Sequence, residues 1–159
     1  MKSSILFMVC SALAGVVYAA PKGAQLSAPY CPSRPATSAQ VEQIFYQAVQ
    51  KLYVDRNGTQ YALDHLAEDY IQRNPYVLSG RDNAVAGLAF VSPETVNFTI
   101  LNTAFKENIG FVHFKMDVKG QEKPTAVVDV LRFEGTCIQE HWDVMQQRPD
   151  DAVNPLEMW

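Results

Sequence analysis

The hydrophobic period of this chain changes once, near Thr95, and that change limits the fold more than any other feature. Before it, apolar residues recur at helical spacing; after it, they alternate. Thr37-x-x-Gln40 has the form of a capping box, and Val41, Ile44, Phe45, Ala48, Val49 and Leu52 follow on one helix face. This predicts a helix from Thr37 to about Val54, stopped near Asn57-Gly58. Thr59 is placed to cap a second, short helix with Tyr61, Ala62, Leu63 and Leu66 facing inward. Tyr70-Ile71-Gln72 reads as a short extended piece ended by Asn74-Pro75. Gly80-Arg81-Asp82 opens a third helix, with Val85, Leu88, Ala89 and Phe90 on its apolar side.

Beyond Thr95, Val96, Phe98 and Ile100 alternate with Thr95, Asn97 and Thr99. Val112, Phe114, Met116 and Val118 alternate with Phe111, His113, Lys115 and Asp117. After a turn around Gly120, two further strands cover about 125–133 and 137–145, joined by Glu134-Gly135-Thr136. Helices first and an antiparallel meander second define an α+β domain with the helices packed on one face of the sheet.

The first residues read as an address. Lys2 gives a positive start, Ile5 to Tyr18 is an uncharged and mostly apolar run, and Val17 and Ala19 are small residues suited to a cleavage site. The run is shorter than the roughly 20 residues that span a bilayer. Residues 1–19 are therefore expected to be a signal peptide, residues 20–36 a Pro-rich arm, and residues 37–159 the domain. The formal net charge of −4 becomes about −5 once Lys2 is removed with the leader. An acidic chain without a Lys/Arg cluster is a poor partner for nucleic acid, and no basic amphipathic helix suits a membrane surface. After Cys10 leaves with the leader, Cys31 and Cys137 remain. In an oxidising compartment two cysteines tend to pair, which would staple the arm to the domain; the alternative is two separate thiols. The sequons Asn57-Gly58-Thr59 and Asn97-Phe98-Thr99 are compatible with glycosylation in a secretory route.

The last ribbon, Asp129 to Asp143, places the chemistry. A three-residue loop, 134–136, pairs Phe133 with Cys137 and sets Asp129 opposite His141 and Val127 opposite Asp143. Opposed residues share a face, so Asp129, His141 and Asp143 form one cluster, while Arg132, Glu140 and Trp142 lie on the other face. A slip of one residue would separate Asp129 from the other two. A carboxylate beside an imidazole can pass protons near neutral pH, and an apolar wall would poise the acid as a base. The plainer reading is hydrogen bonding within the sheet or on its wet face.

Two stretches carry a family resemblance. Tyr70-Ile71-Gln72-Arg73-Asn74-Pro75 followed by Gly80-Arg81 resembles the YIQHNP…GRE segment of SnoaL-like proteins. Asp129 to Glu134 with Ile138 to Gln146 resembles their DxFRxEDGKIxEHWDVxQ hairpin, and Asn154 to Trp159 fits a tail seen there. The resemblance spans about Val41 to Trp159. It implies the NTF2-like cone: a strongly curved antiparallel sheet with three N-terminal helices over a pocket for a small hydrophobic molecule. In its polyketide-cyclase members an aspartate at the end of HWD acts as acid/base without a cofactor. That residue is Asp143 here, with His141 and Asp129 in the same proton network. Tyr70, Gln72, Asn74 and Trp142 are implied ligand contacts; His113 is a further candidate by its place on the strand around 111–118, from which it could reach the pocket. The chain departs from the pattern at Arg73, which replaces a histidine, at Gly135-Thr136, which replaces Asp-Gly, and at Cys137, which replaces a lysine.

His113 is otherwise readable as an ordinary polar-face histidine, and His65, beside Asp64 and Glu68, as solvated surface. The chain has no HExxH-type ligand motif, no phosphate loop and no G-x-S-x-G elbow, so no metal or cofactor is expected. Three functions fit these readings. One is a secreted, cofactor-independent cyclase, isomerase or dehydratase acting on a hydrophobic carbonyl compound. The second is a non-catalytic binder of a small ligand, and the third a dimerising module using the outer sheet face.

Overall fold

The computed structural model describes residues 26–159. The proposed leader, with Lys2, Cys10 and the cut after Ala19, and the start of the arm lie outside the described residues.

Helix α1, Ser38–Val49, starts from the expected capping box: Thr37 accepts from the Gln40 backbone and Gln40 reaches back to the Thr37 backbone. Its buried face is Val41, Ile44, Phe45, Ala48 and Val49. The helix runs on into a π-helical turn, Gln50–Val54. The extra residue re-phases the helix, so that two consecutive side chains, Leu52 and Tyr53, are both buried. Helix α2, Gly58–His65, is capped not by Thr59 but by Asn57, whose side chain accepts from Gln60 N at 3.1 Å. Tyr61, Ala62 and Leu66 point inward as expected, but Leu63 is exposed. Strand β1, Leu66–Gln72, begins before the short piece read from the sequence. Helix α3, Arg81–Leu88, buries Ala84 and half-buries Val85 and Leu88, whereas Ala89 faces water.

Four strands follow: β2 Val96–Lys106, β3 Ile109–Val118, β4 Thr125–Glu134 and β5 Cys137–Gln147. These four form the antiparallel meander. Strand β1 then joins β5 in parallel, so the sheet order is β1-β5-β4-β3-β2 and the sheet is mixed at that one edge. The helices cover its inner face. Phe45, fully buried, packs on Phe105 and Phe133 at ring distances of 5.4 and 6.4 Å. Gly110 permits this approach, since a Cβ there would lie 2.4 Å from the Phe45 ring.

The arm is fastened to the domain. Cys31 and Cys137 form a disulfide. Tyr30 N donates to Asp64 O at 2.7 Å, Arg34 N donates to Thr136 Oγ1 at 3.0 Å, and Thr136 Oγ1 donates to Tyr30 O. The β4–β5 loop that receives the arm has two residues, Gly135-Thr136, rather than three. Gly135 takes the positive φ of +53°, so Thr136 is spared the left-handed conformation.

His65 is not solvated surface. It is 1% exposed, lies between the rings of Tyr30 and Tyr61 at 4.9 and 5.6 Å, and neither of its nitrogens has a hydrogen-bond partner. The short helix turns this position into the domain, where the arm closes over it.

Candidate functional site

Between the helices and the inner sheet face lies a cavity of about 190 Å³, more than ten times the roughly 10–15 Å³ that one water needs. Leu52 and Tyr53 wall it from the π turn, Tyr61 from α2, Leu88 from the end of α3, and Phe90 and Val91 from the segment after it. Phe98, Phe114, Met116, Val127 and Leu131 supply the sheet side. Tyr53, Phe98 and Phe114 pack edge to face at 4.8–5.5 Å and stiffen this wall. Among the described residues no lysine or arginine lines the cavity; its titratable groups are Asp129, His141, Asp143 and the three tyrosines Tyr53, Tyr61 and Tyr70.

The last hairpin positions the acids. Its register differs from the expected one: Asp129 stands opposite Asp143, and His141 opposite Leu131. The two-residue loop and a bulge between Arg132 and Phe133 together shift the pairing by two residues. A shift of two keeps every side chain on its face, so Asp129, His141 and Asp143 still converge.

His141 Nε2 lies 3.2 Å from Asp129 Oδ1, with side-chain exposures of only 12% and 11%. Tyr53 donates its hydroxyl to the other Asp129 oxygen. Gln72, register partner of His141 across the β1–β5 pairing, brings Oε1 within 2.8 Å of His141 Nδ1. Asn74 donates its side-chain N–H to Asp143 Oδ2 at 2.6 Å. Asp129 is thus occupied on both oxygens, while Asp143 keeps one oxygen without a donor among the described residues.

Burial alone would lower the pKa of His141, but the charges of Asp129 and Asp143 and the hydrogen bond to Asp129 outweigh it and raise the pKa. Tyr53, Tyr61 and Tyr70 are all raised, first by burial, with Asp129 adding to each and neighbouring tyrosines adding to Tyr53 and Tyr70, so each keeps its proton. Ligating atoms of Asp129, His141 and Asp143 lie within 4.8 Å of one another. They could offer one nitrogen and two oxygens to a divalent ion, yet Asp129 and His141 already satisfy each other directly.

Of the residues singled out from the sequence, Tyr70, Gln72, Asn74, Asp129, His141 and Asp143 line the cavity. Two expected ligand contacts do not. His113 lies on the outer face, 3.4 Å from Asn102 Nδ2, because it alternates with the buried Val112 and Phe114. Trp142 lies there too, since its neighbours His141 and Asp143 take the inward positions. Arg73, also off the cavity, shares Glu140 with Arg132: Arg73 Nε reaches Glu140 Oε1 at 2.8 Å and Arg132 Nε reaches Oε2 at 3.0 Å. The histidine-to-arginine departure therefore serves the outer face. Burial pushes the Glu140 pKa up, and the two guanidinium groups more than reverse that. The sequence reading missed Tyr53 and Tyr61 as site residues. Tyr61 was legible only as core, and Tyr53 only through the π turn, which leaves no clear mark in the pattern. Asn57 and Asn97 are both exposed, the first capping α2 and the second on edge strand β2.

No protein-family model matches the chain, and no curated protein matches it. Solved structures do. The fold resembles a protein assigned as a ketosteroid isomerase from Kribbella flavida (TM-score 0.59, 13% identity, covering 73% of this chain and 84% of that one). It also resembles an NTF-2-like protein of unknown function from Burkholderia xenovorans (0.57, 13%, 71% and 88%). A third neighbour is a protein assigned as a SnoaL-like polyketide cyclase from Jannaschia (0.54, 11%, 71% and 91%). The protein has the NTF2-like fold, and the SnoaL-like resemblance of its sequence agrees with the shape of these neighbours.

Proposed function

We propose that this is an exported, cofactor-independent enzyme that removes a proton next to the carbonyl of a small hydrophobic compound. The observation that carries the proposal is Asp143: a carboxylate with one open oxygen on an apolar, aromatic cavity, beside the buried His141–Asp129 pair. That no lysine or arginine among the described residues lines the cavity favours a neutral ligand over an anion.

In this reading Asp143 takes the proton from the carbon beside the carbonyl, and the electron pair moves onto the carbonyl oxygen. The resulting carbon nucleophile attacks a second carbonyl of the same molecule, whose oxygen accepts the proton. Return of the proton to another carbon gives isomerisation, and loss of the new hydroxyl as water gives dehydration. Asp129 holds the His141 ring in place and balances its charge. The Cys31–Cys137 bridge supports export, since such bonds persist in oxidising compartments. Among the described residues no helix is long and apolar enough to cross a membrane.

The test is a panel of aromatic polyketones with wild type and Asp143→Asn. Turnover should fall about 10²–10⁴-fold, the usual contribution of a positioned base, with calorimetric affinity kept within a few-fold. Tight binding without turnover by the wild type would instead make the protein a carrier.

A further inference from the structure

We infer that Gln72 is the positioning residue of this site: its amide fixes which nitrogen of His141 exchanges protons and leaves the Tyr70 proton to a ligand oxygen. The inference deepens the acid/base reading and rests on it for its catalytic consequence, although the proton arrangement itself does not.

The argument starts from an atom that has no choice. The backbone N–H of Asn74 can only donate, and it meets the Gln72 side chain at 2.9 Å. The atom it meets is therefore the amide oxygen, not the nitrogen. That same oxygen lies 2.8 Å from His141 Nδ1. An oxygen without a proton can only accept, so Nδ1 must carry the hydrogen. Nε2 faces a second acceptor, Asp129 Oδ1, at 3.2 Å, so one proton is shared there: it sits on Nε2 in the charged ring, and in the neutral ring with hydrogen on Nδ1 it has passed to Asp129 or been lost. Every proton that His141 gains or loses then passes through Nε2, on the side of the two aspartates. In water an imidazole is free to hold its proton on either nitrogen; here strand pairing removes the choice. Gln72 stands beside His141 in the parallel β1–β5 register.

The other end of the amide acts on Tyr70. Gln72 Nε2 donates to the Tyr70 hydroxyl at 3.2 Å. The Tyr70 oxygen accepts there, so its own O–H points elsewhere. Tyr70 lines the cavity, and no acceptor for its proton occurs among the described residues. A ligand carbonyl entering the cavity supplies that acceptor. All of Gln72's hydrogen-bonding groups used here are spent on protein, so its role is orientation rather than ligand contact. The groups facing His141 are Gln72 from β1, Asp129 from β4 and Asp143 on its own strand.

The test uses the whole protein with ¹⁵N-labelled histidine, without any substrate. At a pH above the His141 transition, the ¹⁵N shifts of the wild-type ring should show the hydrogen on Nδ1. Gln72→Met removes the acceptor and should move the ring towards the Nε2–H form, with the melting temperature checked on the same sample. Gln72→Glu keeps an acceptor at Nδ1 and should restore the Nδ1–H form. If the wild-type ring carries its hydrogen on Nε2, or if Gln72→Met leaves Nδ1–H unchanged, the assignment is overturned. Where a turned-over polyketone is in hand, Gln72→Met should lower kcat at least ten-fold while Gln72→Glu loses less. A wild type that shows Nδ1–H but turns nothing over would sink the enzymatic reading and leave the Gln72 assignment standing.

Discussion

His65 shows how much one misplaced side chain can matter. Read from the sequence it belonged with Asp64 and Glu68 on a wet helix face; it is instead sealed between Tyr30 and Tyr61. Burial, reinforced by Lys51 and only partly opposed by Asp64, lowers its pKa to about 4 from 6.5. The unfolded chain therefore binds a proton at this residue between pH 6.5 and 4 while the folded chain does not. Stability is full above that window and falls as pH drops through it. At about 1.4 kcal/mol per pH unit the loss is on the order of 3 kcal/mol. His65→Phe keeps an aromatic ring between the two tyrosines and removes the titration. Denaturant unfolding from pH 7.5 down to 4 should show the wild type losing that much more than the variant; parallel curves would contradict the assignment.

At the scale of elements, the strong periodic signals were legible and the local irregularities were not. The capping box at Thr37 and the alternation through β2 and β3 stand in the residues themselves. The π turn, the Asn57 cap and the bulge near Arg132 do not, because each is settled by what the segment packs against. The acid cluster survived a wrong register only because two small departures, a shorter loop and a bulge, added up to an even number. His113 and Trp142 do not line the cavity, because alternation with Val112 and Phe114, and with His141 and Asp143, sets both on the outer face. The β4–β5 loop offers a test of how firmly the arm is held. A Cβ on Gly135 would lie 2.4 Å from Arg34 O and Ser33 Oγ, at a φ of +53°. Gly135→Ala should destabilise the disulfide-intact protein by about 1–3 kcal/mol, from overpacking and strain together. A change within about 0.5 kcal/mol, the usual surface range, would mean that the arm yields easily.

For the molecule as a whole, a curved sheet with helices over one face leaves an apolar hollow, and the solved neighbours share the fold at 11–13% identity. Such a likeness carries the architecture, while the chemistry has to come from this chain's own residues. Those residues give an open carboxylate on Asp143, an imidazole held between Asp129 and Gln72, and a cavity that, among the described residues, no lysine or arginine lines. The central claim is that Asp143 takes a proton from a carbon next to a carbonyl. Solvent deuterium reads that step without requiring the rest of the reaction. A bound aromatic ketone incubated with the wild type in D₂O should gain mass at the carbon beside its carbonyl well above the protein-free rate, and Asp143→Asn should return it to background. A ketone that binds the wild type yet gains no deuterium beyond the uncatalysed rate would contradict the account.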